Sequence, residues 1–292
     1  MYLTHFRLNE LPFTLTPDTA FFMSRAGYQD ALNVLLVALR SGEGFVKVIG
    51  EVGTGKTILC RTLLKALATD FECAYLPNPY LRASSLLFSI ADELRIDYPK
   101  RSTQHQLIKH LNAALLKFNA EGKRVVLCMD EAQAVPVQTL ETLRLLTNLE
   151  TEKRKLLQVV LFGQPELDAV LDQPSIRQLR QRITFSHELY PLNRVDTAHY
   201  VNHRVAIAGY EGSRLFTRRA LDDLQDGSRG VPRVVNILAH KALMAAFGHG
   251  VLQVDHTHVR DAIKDTADAR SAQVSRGTSV PYRCLHWLAG SV

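Results

Sequence analysis

Through the first two thirds of the chain, short apolar runs alternate with longer stretches in which apolar residues recur at helical spacing. Runs of the first kind, at 45–49, 71–76, 125–129, 156–162 and 183–189, read as strands. Stretches of the second kind, around 84–94, 103–119 and 138–150, read as helices, and the middle one gathers Leu107, Ile108, Leu111, Leu115 and Phe118 on one face. This β-α-β-α order predicts an α/β fold, a parallel five-stranded sheet flanked by helices. Pro191 and Asn193 interrupt the pattern. Beyond them strand-like runs become scarce, and helical patterns near 195–208, 217–226, 231–247 and 255–266 predict a small all-α domain, with Thr217 and Asp255 as N-caps. Periodicity fades after about Ala267, although 284–289 is apolar and holds the only tryptophan, Trp287. The expected organisation is an N-terminal aromatic segment and first helix (1–44), an α/β core (45–192), a helical domain (193–266) and a tail (267–292).

The first predicted strand runs directly into Gly50-Glu51-Val52-Gly53-Thr54-Gly55-Lys56-Thr57, which matches the phosphate-binding pattern G-x-x-x-x-G-K-[ST]. Ile58, Leu59, Leu63, Leu64 and Leu67 then follow at the spacing of one buried helical face. Strand, glycine loop and helix start coincide, so backbone N–H groups and the positive end of a helix dipole converge on a single anion site. Lys56 is expected to reach the β- and γ-phosphates and Thr57 to hold Mg²⁺, with residues 50–55 and Ile58 completing the nucleotide site. The third predicted strand ends in the adjacent carboxylates Asp130 and Glu131. A carboxylate there suits the Mg²⁺ shell beside Thr57, and its neighbour suits the attacking water, so Asp130 is assigned to metal and Glu131 to catalysis. ATP and Mg²⁺ are therefore the expected ligands, and ATP hydrolysis the expected reaction.

Composition adds limits rather than chemistry. With 292 residues, 46% of them apolar, the chain can fill a large core, and no apolar run reaches the roughly 18–20 residues that a membrane span requires. No basic segment followed by an apolar one opens the sequence, so a cytoplasmic location is expected. Cys60, Cys73, Cys128 and Cys284 are widely spaced and form neither a metal-ligand pattern nor a disulfide framework. The formal charge of +6 permits contact with nucleic acid without demanding it.

Several separate segments carry a resemblance. Residues 45–61, 130–133, Gly163-Gln164-Pro165-Glu166-Leu167 and Gly230-Val231-Pro232-Arg233-Val234-Val235-Asn236, with Phe6, Pro12-Phe13, Thr16-Pro17-Asp18 and Phe21-Phe22 upstream, together resemble the ExeA/GspA family of AAA+ ATPases over about residues 1–266. Within that family the chain looks most like members associated with the MSHA type IV pilus. The resemblance implies an AAA+ P-loop NTPase whose helical domain is a lid. It implies a sensor-1 role for Gln164, which turn chemistry alone reads as a residue preceding Pro165. It implies that Asn78 restrains the catalytic glutamate, the alternative being a simple turn before Pro79. Arg233 resembles sensor 2, its planar fork suited to phosphate oxygens. Arg177, Arg180 and Arg182 stand where such assemblies supply an arginine finger; Arg182 is preferred, Arg180 is close behind, and one of the three is expected to serve only the helix end. Pro12, Phe13 and Phe22 either cover the adenine ring or belong to the core.

The implied partners are further copies of the chain, in a ring or other homo-oligomer, and inner-membrane components of a pilus or type II secretion machine. Longer relatives continue into a transmembrane segment and a periplasmic peptidoglycan-binding domain. Neither occurs in this sequence, so direct peptidoglycan binding is not expected and membrane association is expected through partners. A second reading, an ATP-dependent DNA-binding protein like the MuB/TniB transposition ATPases, rests on Arg214, Arg218, Arg219 and the net positive charge. It ranks second because nothing resembles a dedicated base-reading helix.

Overall fold

In the computed structural model, which describes residues 2–23, 26–77, 80–99, 101–150 and 155–269, all five predicted strands form. Two helices, α1 (Tyr2–Phe6) and α2 (Ala26–Ser41), precede β1 (Phe45–Gly50). There follow α3 (Lys56–Leu67), β2 (Phe71–Leu76), α4 (Ala83–Glu93), α5 (Gln104–Ala120), β3 (Arg124–Met129), α6 (Val137–Leu146), β4 (Leu157–Gly163), α7 (Glu166–Leu171), α8 (Arg177–Arg180) and β5 (Ile183–Leu189). The helical part comprises α9 (Arg194–Ile207), α10 (Arg218–Ser228), α11 (Pro232–Gly248) and α12 (His256–Lys264). Asn78 and the apolar stretch at 284–289 lie outside the described residues.

The strands pair in the order β2-β3-β4-β1-β5, every neighbour parallel. Because β1 lies between β4 and β5, the chain must cross β4 and β3 to reach β2, and the loops after β1, β3 and β4 end side by side at the carboxyl edge. Ligands of open α/β sheets bind in that crevice. Successive strand residues face opposite sides, and both sides are buried along β1, β3 and β4, whereas the edge strand β5 is buried only at Leu189. Val125, Leu127 and Met129 pack beneath α4, α5 and α6, while Val126 and Cys128 join Leu59, Cys60 and Leu63 of α3 on the other face. β4 is buried at all seven positions.

One helix is shorter than its pattern. The 138–150 stretch stops being helical at Leu146, because Thr147 folds its hydroxyl back onto the Arg144 carbonyl and Glu150 pairs antiparallel with Lys155. Leu149, which extended the apolar period, reaches the core from the turn instead. Thr217 and Asp255 do cap their helices, accepting from the N–H groups of Ala220 and Thr257. The helical part has its own core, and the N-terminal segment joins it: Phe6, Leu8, Phe13 and Phe21 pack with Val201, Phe216, Leu238 and Leu243. Phe13 meets Phe216 edge-on, 5.8 Å between ring centroids. Residues 2–23 thus belong to the lid, whereas α2 covers the sheet.

Candidate active site

The loop between β1 and α3 owes its shape to glycines. Gly53 (φ +81°) and Gly55 (φ +95°) occupy the left-handed region, where a Cβ is penalised. A Cβ on Gly53 would also stand 2.7 Å from Cβ of Arg233. Thr54 ties the loop from within, its Oγ1 donating to the Glu51 carbonyl at 2.8 Å, and the Tyr28 hydroxyl of α2 donates to the Thr54 carbonyl from below. Lys56 is 5% exposed and curls over the loop, Nζ donating to the carbonyls of Gly50 (2.6 Å) and Glu51 (3.0 Å). Burial pulls its pKa down, against the pull of Glu131, Asp130, Glu51 and Glu166. A phosphate would supply the counter-charge that those carbonyls provide only in part.

Across the crevice, Thr57 Oγ1 donates to Asp130 Oδ2 at 2.6 Å, joining the start of α3 to the end of β3. Asp130 is 3% exposed, and burial raises its pKa despite the bonds from Thr57 and the Glu131 N–H. Hydroxyl and carboxylate oxygens are the donors that Mg²⁺ prefers, and it takes only one or two from the protein when phosphates and waters supply the rest. The pair therefore fits Mg²⁺, and no cluster of three or more metal-ligating side chains occurs among the described residues.

Glu131 has a left-handed backbone (φ +52°), a conformation that costs a non-glycine residue about 1 kcal/mol and concentrates at functional sites. The turn aims its carboxylate at Gln133 and Gln164, whose amide nitrogens donate to Oε2 at 2.7 and 3.0 Å. Burial pushes the Glu131 pKa up, but those two bonds and Lys56 outweigh it and the net shift is downward. The carboxylate thus stays ionised, as acceptance of a proton from water requires. The motif chemistry alone assigns Gln133 no role; its signal in the sequence is a polar side chain two positions after an acidic pair, in an otherwise apolar turn.

A cavity opens between this loop and the lid, lined at one end by Gly53, Gly55, Lys56, Thr57 and Glu131 and at the other by Phe21, Phe22, Tyr28, Tyr200, Arg204 and Asn236. Val52, Ile58 and Arg233 also line it. Of the residues considered for the adenine, Phe22 lines the cavity, whereas Phe13 is 3% exposed inside the lid core and Pro12 is absent from the wall. The reason is packing: Phe216 offers Phe13 an aromatic edge. No sequence motif marks the far wall. Arg204, 4% exposed, donates to the Pro12 carbonyl and, at 3.1 Å, to the Tyr200 hydroxyl, and lies 4.5 Å over the Phe21 ring. Tyr200 in turn donates to Asn236, which holds the Thr14 carbonyl.

The arginines before β5 separate. Arg182 donates to the Arg144 carbonyl (3.2 Å) and to Thr147 Oγ1 (3.3 Å), both at the end of α6 in its own chain. Arg180 is exposed and pairs with Asp172 at 2.8 Å, and Arg177 is exposed. Neither reaches the cavity of its own chain.

Residues 39–171 match a family described as an AAA domain. Over 270 residues the chain is 43% identical to the general secretion pathway protein A of Aeromonas hydrophila, a match that takes in 92% of this chain and 49% of that protein. The chain belongs to the ExeA/GspA family of AAA+ ATPases. It spans about half the length of that relative. The AAA+ architecture is shared with solved structures: Cdc6p from Pyrobaculum aerophilum (TM-score 0.66, 20% identity, 85% of this chain and 70% of that one) and the Aeropyrum pernix ORC2 protein in its ADPNP–ADP complexes (TM-score 0.63, 19% identity, 89% and 70%). At such identities the likeness concerns the fold alone. Among the described residues of this ExeA/GspA member, no helix is long and apolar enough to cross a membrane.

Proposed function

We propose that this chain binds ATP with Mg²⁺ in the cavity between loop and lid, hydrolyses it at an interface between copies of itself, and couples nucleotide state to movement of the lid. The observation that carries this reading is the bond between Thr57 and Asp130 beside a glutamate held ionised by two amides. Thr57 and Asp130 would hold the metal, which when bound neutralises charge on the phosphates. Lys56 exchanges its loop carbonyls for phosphate oxygens, and Glu131 orients the attacking water and takes its proton. Gln164, already on Glu131, would sense the γ-phosphate, while Arg233 would reach the phosphates from the first turn of α11. For the finger the geometry favours Arg180 over Arg182, since an exposed ion pair exchanges at little cost and Arg182 is committed to α6.

The cellular work proposed is assembly of a type II secretion apparatus or a type IV pilus of the MSHA kind, through inner-membrane partners; the name of the A. hydrophila relative supports the former. Arg214, Arg218 and Arg219 are exposed, but α10 also carries Asp222, Asp223 and Asp226, so its surface is mixed in charge and DNA is not part of the proposal. Glu131→Gln, an isosteric change, is expected to lower kcat by roughly 100-fold or more while ATP stays bound. Hydrolysis by this variant at the wild-type rate would refute the catalytic assignment.

A further inference from the structure

Three polar groups around Glu131 form a closed set. The Gln133 side chain accepts from the Gln164 backbone N–H at 3.0 Å through Oε1, which fixes its amide so that Nε2 must face Glu131. That Nε2 donates to Oε2 of Glu131 at 2.7 Å, and the Gln164 side chain donates to the same oxygen at 3.0 Å. A Cβ on Gly163 would stand 2.7 Å from Leu167 and in ordinary contact, 3.4 Å, with Gln133 Oε1, so the tight neighbour of this glycine is Leu167. A carboxylate oxygen has two in-plane lone pairs, and two amide donors fill them. Oε1 receives neither bond, and Glu131 lines the cavity.

We propose that Gln133 is a positioning residue for hydrolysis: together with Gln164 it occupies Oε2 of Glu131 and leaves Oε1 as the oxygen that receives the proton of the attacking water. This rests on the ATPase reading above. In the step concerned, the water oxygen bonds to the γ-phosphorus and the bond from that phosphorus to the β–γ bridging oxygen breaks, its electron pair leaving with ADP. The water proton passes to Oε1 and from there to solvent. Gln164 has a second proposed duty at the γ-phosphate. The Gln164 amide nitrogen carries two N–H groups, so one can stay on Glu131 while the other meets the γ-phosphate, and Gln133 has no duty at the nucleotide.

Two variants separate this role from a structural one. Gln133→Glu keeps an acceptor for the Gln164 N–H but sets a second carboxylate against Glu131 where the amide donor stood; Gln133→Leu removes acceptor and donor without adding charge. Each is expected to lower kcat by roughly tenfold to a hundredfold, the cost of a misoriented catalytic group. KM for ATP and the affinity for ADP should stay within about twofold of wild type. In a Glu131→Gln background, Gln133→Leu should cause no further loss, because the two residues act as one unit. Undiminished kcat in Gln133→Glu, an equal fall in ADP affinity, or a full further loss in the Glu131→Gln background would overturn the proposal. Wild-type protein that hydrolyses no ATP under any condition would instead remove the reading on which it rests.

Discussion

The most informative single substitution is Gly53→Ala, because it strikes the junction between the phosphate loop and the lid. The lid helix α11 has no side-chain cap; its Arg233 N–H donates to the Gly53 carbonyl at 3.2 Å, so the loop itself caps the helix. An alanine would first meet a backbone cost of about 1–2 kcal/mol at φ +81°. Its Cβ would then lie 2.7 Å from Arg233 Cβ and 3.1 Å from Val231 Cγ1, forcing α11 away from the loop and weakening a cap worth about 0.5–2 kcal/mol. The sum is about 1.5–4 kcal/mol, or a fall in Tm on the order of 4–12 °C. Gly122→Ala is the internal control. Its φ is +79°, nearly the same, yet nothing lies within 4 Å of a Cβ there, so only the backbone cost remains. Thermal unfolding of both variants, with calorimetric titration of ADP, separates the two contributions. Gly53→Ala should lose the larger Tm and bind ADP at least about tenfold more weakly, whereas Gly122→Ala should bind normally; equal losses in both would refute the claim that loop and lid support each other.

Two other outcomes are expected. Asp130→Asn should stabilise the nucleotide-free protein at neutral pH by roughly 1–3 °C while abolishing Mg²⁺-dependent hydrolysis. Burial holds the Asp130 pKa above the ordinary aspartate value, so the folded state carries an unfavourable charge above that raised pKa and is relieved of it as pH falls through it. The Tm advantage of the variant should therefore shrink on acidification, and a pH-independent advantage would contradict the assignment. Arg204→Met should cost about 2 kcal/mol by stranding the Pro12 carbonyl and removing the stacking on Phe21. Hydrogen exchange should show residues 8–23 opening first, and uniform exchange across the lid would contradict that account.

Local features were legible in the sequence and distant ones were not. β1, α3 and β3 follow from apolar runs bounded by glycines and acids, and the glycines at 53 and 55 are where the pattern requires left-handed backbone. The juxtaposition of Thr57 with Asp130 follows from strand order, which the motif pair already implies. By contrast, Arg204 reaches Pro12 across 192 residues, and nothing local announces such a bond. Its one trace is a charged residue standing among the buried positions Tyr200, Val201 and Val205 of α9. Phe13 illustrates the same limit: an aromatic side chain fits a base pocket or a core equally well until Phe216 is known to face it. Arg182, preferred for the finger by position, donates to the Arg144 carbonyl and the Thr147 hydroxyl at the end of α6, acceptors that sequence cannot locate because the apolar pattern overran the true helix end.

The central claim is that a nucleoside triphosphate occupies the loop around Lys56 against Asp130 and Glu131. Equilibrium titration of a fluorescent ATP analogue with Mg²⁺, on wild-type protein and on Lys56→Ala, tests it directly. Saturable binding by the wild type with at least about a hundredfold loss in the variant is expected, the cost of removing a charge-assisted phosphate contact in a buried site. Identical binding curves would contradict it.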